Sequence, residues 1–329
     1  MRVLVTGASG LLGGAVARAI AGAGHEVRTF QRRPAGIPGI ADSLGSVTDP
    51  SAVADAVRGM DAVVHLAAKV SLAGNPAEFE RVNVGGTRNM LEAASGLAHG
   101  LAHGEPARFV HVSSPSVAHS GASIMGDGAL PADPGAARGD YARTKAEAEL
   151  LALAADSARL SVVVIRPHLV WGPGDTQLVQ RIVDRARSGR LPLLGHGAAL
   201  IDTIYVDNAA SAIAAALEHA PQVHGRSFVV TNGEPRPVAE MLAGICRAAG
   251  VTPPTVRIPA SVARTAGSLI EALWRVRPGQ DEPPMTRFLA EQLSTSHWFD
   301  QRAVRSELHW QPSVSIDDGL RRLAEVYQR

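Results

Sequence analysis

The chain has 329 residues, 46% of them hydrophobic and 19% charged, and its net charge is +1. It contains no basic tract suited to nucleic acid and no acidic tail, and its single cysteine, Cys246, excludes an internal disulfide. The stretch "MRVLVTG" enters a strand pattern without a signal-peptide core, and "NAASAIAAALEHA" is too short to span a bilayer. We therefore expect a cytoplasmic protein that binds no nucleic acid and contacts a membrane at most peripherally.

Short β-branched runs alternate with helical patterns over the first half of the chain. The predicted strands are 2–6, 25–30, a weak one near 41–47, 61–68, 107–114 and 160–167. The predicted helices are 11–24, 49–59, 76–95 and one that includes 139–150. This alternation predicts an α/β fold with a Rossmann-type, doubly wound parallel sheet covered by helices on both faces.

The pattern loosens after Pro167. A strand and a helix at 201–219 are expected to rejoin the sheet, so residues 1–173 together with 201–223 would form the dinucleotide-binding domain. Residues 174–200 and 224–329 would then form mainly a smaller C-terminal substrate-binding lobe. Apolar residues recur at helical spacing in 261–277, which predicts an amphipathic helix. Its mixed charge favours packing over an apolar substrate channel rather than on a membrane surface.

His99 and His103 have the spacing of a metal-binding pair. Glycines break any helix there, however, and no third ligand is evident, so no metal site is predicted.

The stretch "VTGASGLLGG" places Gly7, Gly10 and Gly13 between the first strand and the first helix. Glycines there allow a tight turn, a close approach of the backbone to a pyrophosphate, and close packing of helix against strand. The helix N-terminus would then point toward the negative charge. The alternative, a glycine turn without a ligand, is less consistent with this position directly after a strand.

The end of the second predicted strand indicates which dinucleotide binds. The sequence there is "FQRRP", where an NAD-binding site would have an acidic residue for the ribose 2′-hydroxyl. Arg32 and Arg33 would instead bind a 2′-phosphate, which favours NADPH and leaves NAD open. Two solvated arginines are the alternative interpretation.

A candidate catalytic pair lies in "GDYARTKAEAEL" at 139–150. Tyr141 and Lys145 are four residues apart, so they share one helical face, and Asp140 is a suitable cap. A free tyrosine has a pKa of about 10, and a neighbouring ammonium would lower it by stabilising the phenolate. The alternative is a solvated helix in which Lys145 pairs with Glu149.

Together these motifs resemble the extended short-chain dehydrogenase/reductases over nearly the whole chain, and within them the 3β-hydroxysteroid dehydrogenase branch. The matching stretches are "TGASGLLG", "DAVVHLAA", "NVGGT", "VSS", "YARTK", "IRPHLVWGPGD", "EPPMTRF" and "SHWFD". The resemblance implies that Tyr141 donates the proton, Ser114 binds the substrate oxygen, Lys145 supports both tyrosine and nicotinamide ribose, and Asn83 supports the site.

The resemblance also implies a set of cofactor contacts, which extends those indicated by the glycines and arginines. The set is Gly7, Ser9, Gly10, Leu11, Leu12, Arg32, Arg33, Ser46, Val47, Leu66, Ala67, Ala68, Lys69, Tyr141, Lys145, Pro167, His168 and Val170. The alternative for His168 is a satisfied core histidine.

The resemblance implies reduction of a 3-keto group in a long apolar small molecule of the 2-alkyl-3-oxoalkanoate type, and the two arginines favour NADPH as the cofactor. A sterol or steroid 3-dehydrogenase and a non-catalytic NADPH-binding sensor stay open as alternatives. A nucleotide-sugar dehydratase is disfavoured because related dehydratases place an acid pair where Pro115 and Ser116 stand here, whereas an epimerase stays open. A homodimer or a complex with pathway partners also stays open.

Overall fold

The computed structural model describes residues 1–71, 74–97, 105–119, 121–276 and 287–328, so His99 and His103 lie outside the described residues. Its strands are β1 (Arg2–Thr6), β2 (Glu26–Gln31), β3 (Ala41–Leu44), β4 (Ala62–His65), β5 (Ala107–Val112), β6 (Ile124–Asp127), β7 (Leu160–Pro167), β8 (Val170–Trp171), β9 (Leu193–Leu194), β10 (Leu200–Ile201), β11 (Ile204–Tyr205), β12 (Arg226–Val230), β13 (Arg236–Pro237), β14 (Arg257–Ile258) and β15 (His297–Phe299).

The α-helices are α1 (Leu11–Gly22), α2 (Pro50–Val57), α3 (Pro76–Phe79), α4 (Gly86–Ser95), α5 (Gly139–Ala154), α6 (Val179–Arg187), α7 (Val206–Val223), α8 (Val238–Ala248), α9 (Ala260–Val276), α10 (Arg287–Ser294), α11 (Arg302–Glu307) and α12 (Ile316–Tyr327). A π-helical segment, Glu80–Gly85, joins α3 to α4, and a short 3₁₀ helix, Pro115–Ala118, follows β5. The predicted helix 76–95 is therefore three segments.

Seven parallel strands form the central sheet in the order β12-β7-β5-β4-β1-β2-β3. The chain builds outward from β1 in one direction and then resumes at β4 on the other side of β1. This reversal opens a crevice at the carboxyl ends of β1 and β4, where open α/β sheets bind ligands. The predicted α/β fold with a doubly wound parallel sheet is confirmed.

Alternate side chains of the sheet enter two separate cores. On one face, Val3, Val5 and Val163 pack with α1 and α7. On the other face, Leu4 and Phe109 pack with residues of α2, α4 and α5. Burial of both faces explains why the strands read as continuous apolar runs in the sequence.

The chain returns to the central sheet later than the sequence suggested. The strands near 201, β10 and β11, belong to small sheets with β13 and β15 and with β8. The seventh central strand is β12 at Arg226–Val230, because α7 first crosses the sheet face and only the following run "RSFVV" reaches β7. The boundary expected at residue 223 therefore needs correction, while the two-domain division itself remains a prediction.

The expected amphipathic helix is present as α9 and packs against α10. Its buried Ala263 contacts an apolar cluster that contains Leu194 and Ala290, whereas Val262 and Leu269 are exposed. Among the described residues, none of the helices combines the length and hydrophobicity that crossing a bilayer would need.

Candidate active site

The loop between β1 and α1 is shaped by its glycines. Gly7 has a φ of +75°, a left-handed conformation that favours glycine, and its N–H donates to the Phe30 carbonyl at 3.0 Å. A Cβ on Gly13 would lie 2.7 Å from the carbonyl carbon of Gly7, so α1 can approach the loop only without a side chain there. Gly10 caps α1, and Ser9 and Gly10 are exposed. The first-turn N–H groups of α1 therefore lie at the carboxyl end of β1.

The segment after β4 packs against this glycine loop. The N–H groups of Leu66 and Ala67 both donate to Thr6 Oγ1 at 3.0 Å. A Cβ on Gly7 would lie 3.1 Å from the backbone of Ala67. The half-buried residues along these two segments are Leu11, Leu12, Leu66, Ala67, Ala68 and Lys69. The structure thus brings the two segments expected to contact a cofactor together.

Gln31, at the end of β2, is buried with one unsatisfied atom. Its Nε2 donates to Thr29 Oγ1 at 3.1 Å and to Asp42 Oδ1 at 2.7 Å. Its Oε1 has no hydrogen-bond partner among the residues described. A buried acceptor without a donor is costly, and a ligand hydroxyl would satisfy it. Together with a loop whose space a side chain would fill, this acceptor fits the sugar and diphosphate of a dinucleotide.

Arg32 and Arg33 follow Gln31 and are both exposed. Neither guanidinium forms a hydrogen bond or ion pair with the part of the chain that the structure describes. A carboxylate nevertheless lies nearby, contrary to what the β2 sequence alone suggested. Asp42 on β3 accepts hydrogen bonds from Thr29 Oγ1 at 2.5 Å and from the Ala35 N–H at 3.1 Å, and the Thr29 bond lowers its pKa most. Asp42 thereby holds the segment that carries both arginines.

Ser46 and Val47, two of the cofactor contacts that the resemblance implies, follow β3. Ser46 Oγ lies 2.8 Å from Thr48 Oγ1. Val47 is buried, and its carbonyl accepts a hydrogen bond from Asn89 Nδ2 at 2.9 Å. These bonds fix the turn, while Ser46 remains half-buried.

Asn83 joins the loop after β4 to the helix that carries Tyr141. Its Oδ1 accepts from the Lys69 N–H at 2.7 Å, and its Nδ2 donates to Thr144 Oγ1 at 3.0 Å. Thr144 Oγ1 in turn donates to the Asp140 carbonyl at 2.7 Å. Asn83 is buried within the π-helical segment, and such segments are frequent at functional sites. Its side chain thus positions other elements of the site.

Tyr141 and Ser114 meet at the carboxyl end of β5. Tyr141 lies in the first turn of α5 and is half-buried. Burial raises the pKa of Tyr141, and its hydrogen bond with Ser114 acts in the opposite direction. Asp140 is not the helix cap, since α5 begins at Gly139 after Arg138, and Asp140 lies within the first turn.

Lys145 is buried, with 4% of its surface exposed, so the solvated-pair alternative is wrong. Its Nζ donates to the Val112 carbonyl at 2.6 Å. Burial lowers the pKa of Lys145 to about 8, and the charge of Glu149 acts against this shift. Glu149 itself is bound by Arg166 Nε at 3.0 Å rather than by Lys145.

The expected lowering of the Tyr141 pKa by Lys145 is not found. Desolvation of the phenol dominates, because the Lys145 ammonium is directed to a backbone carbonyl rather than to Tyr141 Oη. A phenol with a raised pKa remains protonated at neutral pH.

Pro167, His168 and Val170 lie at and after the end of β7. His168 is buried, and its Nδ1 lies 2.6 Å from the Asp202 carbonyl, which can only accept, so Nδ1 carries the proton. Burial lowers the pKa of His168 to about 4, so the ring is neutral at pH 7. Between His168 and the half-buried Val170, Leu169 has a φ of +49°.

Sequence analysis assigned no role to the rings packed around His168. The His168 ring lies 6.1 Å from that of His297 and 5.0 Å from that of Phe299, and His119 lies 4.7 Å from His297. Burial lowers the pKa of His297 to about 3. His297 belongs to the matched stretch "SHWFD", which was the only available signal. Within the described ranges, no group of three or more His, Cys, Asp or Glu side chains could hold a metal.

Residues 3–231 match the model of the NAD dependent epimerase/dehydratase family. The chain belongs to this family. Among relatives, the 2-alkyl-3-oxoalkanoate reductase of Stenotrophomonas maltophilia (strain K279a) is 41% identical, and the alignment covers 98% of each chain. The 3-beta-hydroxysteroid dehydrogenase of Mycolicibacterium neoaurum is 28% identical, with 99% of this chain and 91% of the relative covered.

A solved structure shares the fold of this chain. The UDP-glucuronic acid 4-epimerase of Bacillus cereus, in complex with NAD, aligns with a TM-score of 0.74. The alignment covers 100% of this chain and 99% of the epimerase at 19% identity, which shows the fold alone. Family membership and the names of the sequence relatives confirm the predicted class, an NAD(P)-dependent enzyme of the extended short-chain dehydrogenase/reductase type.

Proposed function

We propose that the protein is an NADPH-dependent reductase of a 3-keto group in a long apolar substrate of the 2-alkyl-3-oxoalkanoate type. The observation that carries the proposal is the meeting of Tyr141 and Ser114 at the carboxyl end of β5, above a buried Lys145. The relative named 2-alkyl-3-oxoalkanoate reductase, 41% identical along nearly the whole chain, supports this substrate class over a steroid.

The dinucleotide would be held by the glycine loop, the Leu66–Lys69 segment and the end of β7. Gly7 and Gly13 provide the close backbone approach, and Gln31 Oε1 would accept from an adenosine ribose hydroxyl. Arg32 and Arg33 would bind the 2′-phosphate that distinguishes NADPH from NADH. When bound, the reduced nicotinamide supplies a hydride to the ketone carbon.

Tyr141 acts as the general acid in this proposal. Because burial raises its pKa, the phenol holds its proton at neutral pH and can give it to the substrate oxygen as negative charge develops there. Ser114 donates a hydrogen bond to the same oxygen. Lys145 places a positive charge below the pair, and Asn83 keeps α5 at a fixed distance from the loop after β4.

The apolar part of the substrate would lie on the side of Ser114 that faces the C-terminal lobe. A cavity there, lined by Ile124, Leu130, Arg166 and Phe299 among others, has a volume of about 10 Å³, which is room for one water molecule, so an alkyl chain would require these side chains to move apart. We assign substrate binding mainly to residues 174–200 and 224–329, the division predicted from the sequence, except that β12 goes with the cofactor-binding part because it belongs to the central sheet. Cofactor binding is assigned to the remainder.

The test compares substrates by the loss of NADPH absorbance. We expect 2-alkyl-3-keto acids with long chains to be reduced and 3-ketosteroids to be turned over at least about tenfold more slowly, a difference of about 1.4 kcal/mol. Faster reduction of the steroids would replace the proposed substrate class. Tight NADPH binding without turnover of either substrate would instead identify a non-catalytic sensor.

A further inference from the structure

Ser116 lies two residues after Ser114, in the 3₁₀ helix Pro115–Ala118 that follows β5. It is buried, with 9% of its surface exposed. Its side chain is hydrogen-bonded to Ser114. Ser116 Oγ donates to Ser114 Oγ at 2.9 Å, and the Ser116 N–H donates to the same oxygen at 3.3 Å.

These two bonds determine what the Ser114 hydroxyl can still do. A serine hydroxyl offers one donor and two acceptor lone pairs. Both lone pairs of Ser114 are taken by Ser116, because its N–H and its hydroxyl each donate to Ser114 Oγ. The Ser114 hydroxyl can therefore only donate a further hydrogen bond. Its proton lies on the side of Tyr141, with which Ser114 is hydrogen-bonded.

We propose that Ser116 is a positioning residue that holds Ser114 in the orientation of a hydrogen-bond donor to the substrate oxygen. The inference rests on the proposed ketone reduction, in which that oxygen becomes negative and accepts hydrogen bonds. A Ser114 hydroxyl with free lone pairs could rotate and present an acceptor to the oxygen, which would oppose the reaction. Ser116 removes this second orientation before substrate binds.

The neighbouring serine, Ser113, has no such arrangement among the described residues. Ser113 Oγ is also buried, yet it has no hydrogen-bond partner in the described part of the chain. The structure therefore supplies two donors to one hydroxyl at this strand end and leaves the adjacent hydroxyl without any.

The chemistry of position 116 also matters to the type of reaction. An ionised carboxylate, such as an acid pair would place here, has acceptors only and would take the Ser114 proton itself. A serine at 116 can donate and so leaves that proton for the substrate. The hydroxyl at 116 is thus suited to stabilising an oxyanion.

The experiment is a double-mutant cycle between Ser114 and Ser116, measured with NADPH and a 2-alkyl-3-keto acid. Removal of an oxyanion donor lowers kcat by about 100-fold, which we expect for Ser114→Ala. Loss of one neutral hydrogen bond is expected to lower kcat by about five- to tenfold in Ser116→Ala, with KM and the Kd for NADPH within about twofold of wild type. Ser116→Thr keeps the donor and should restore kcat.

The decisive arm is Ser116→Ala in the Ser114→Ala background, where we expect less than about a twofold further change because the group it positions is gone. An equal loss in both backgrounds, or no rescue by Ser116→Thr, would overturn the inference. If Ser114→Ala has a large effect and Ser116→Ala has none, the positioning role of Ser116 is wrong and the donor role of Ser114 stands. If Ser114→Ala is fully active, both roles are wrong.

Thermal unfolding and NADPH titration check independently that each variant is folded. Ser161→Ala, at a buried serine near the opposite end of β7, is the matched control and should leave kcat unchanged. Ser116→Cys fills the site with a weaker donor, so it should lower kcat in the same direction even where Ser116→Ala does not fold.

Discussion

The two sides of the crevice differ in whether backbone or side chains line them. The nucleotide side is backbone, arranged by Gly7 and Gly13 at positions where a Cβ would collide with main-chain atoms. The side facing the C-terminal lobe is made of polar side chains, among them the half-buried Ser114 and the buried His168 and His297. Substitutions that add side-chain volume should therefore disturb the nucleotide side, and a change of pH should affect it little. The second side should respond to changes in the protonation of its side chains.

The largest effect is expected on the side-chain half, at Tyr141. Tyr141→Phe removes the proton donor and keeps the ring, so kcat should fall by about 10³-fold or more, which corresponds to about 4 kcal/mol. The Kd for NADPH should stay within about twofold, because the ring packing is retained. Stopped-flow turnover and fluorescence titration measure the two quantities, and a parallel loss of both would contradict the proton-donor role.

Buried histidines on the same side of the crevice are expected to lower the free energy of unfolding at acidic pH. The pKa values of His168 and His297 are lowered by burial from 6.5 to about 4 and about 3, so the folded state resists protonation that the unfolded chain accepts. Their contribution is fully present above pH 6.5 and is lost as the pH falls. Between about pH 7.5 and about pH 5, each histidine should cost about 2 kcal/mol in the free energy of unfolding.

Denaturant unfolding at both pH values tests this expectation. His297→Gln should reduce the pH-dependent loss by about 2 kcal/mol, while the same substitution at the exposed His196 is the control. Asp202 acts in the opposite sense, since burial raises its pKa to about 6 and its protonated form favours the fold as the pH falls through that value. A pH dependence that survives unchanged in His297→Gln would show that other groups dominate.

The nucleotide half should instead respond to a single methyl group. In Gly13→Ala the new Cβ meets the Gly7 carbonyl carbon at 2.7 Å, and because both are backbone the loop must move. We expect a loss of about 2 kcal/mol in unfolding free energy and a weaker Kd for NADPH. Gly22→Ala on the same helix has nothing within 4 Å of the new Cβ and should be neutral or stabilising.

The contrast also explains how far the sequence could be interpreted. Gly7 and Gly13 lie within one turn and helix, so their spacing alone indicated the nucleotide loop. Tyr141 and Lys145 were likewise four residues apart. In contrast, Asp42 reaches Gln31 from the next strand, and His297 reaches His168 across 129 positions of sequence. Contacts of that kind have no local spacing, so the polar surroundings of the site and the late return of β12 needed the folded chain.

The smallest effect is expected where the nucleotide half uses side chains rather than backbone. Arg32→Ala removes one exposed guanidinium, and the Kd for NADPH should rise about tenfold, or about 1.4 kcal/mol, with the Kd for NADH within about twofold. Arg33→Ala measures the share of the second arginine, and Arg159→Ala, exposed at the opposite end of the sheet, is the control. Equal weakening of both cofactors would assign Arg32 to general electrostatic attraction. Weaker binding of NADPH alone would show that, on the nucleotide side, the choice between the two cofactors depends on the charge of the arginine side chains. Asp42 would then contribute indirectly, because it orders the segment that carries both arginines.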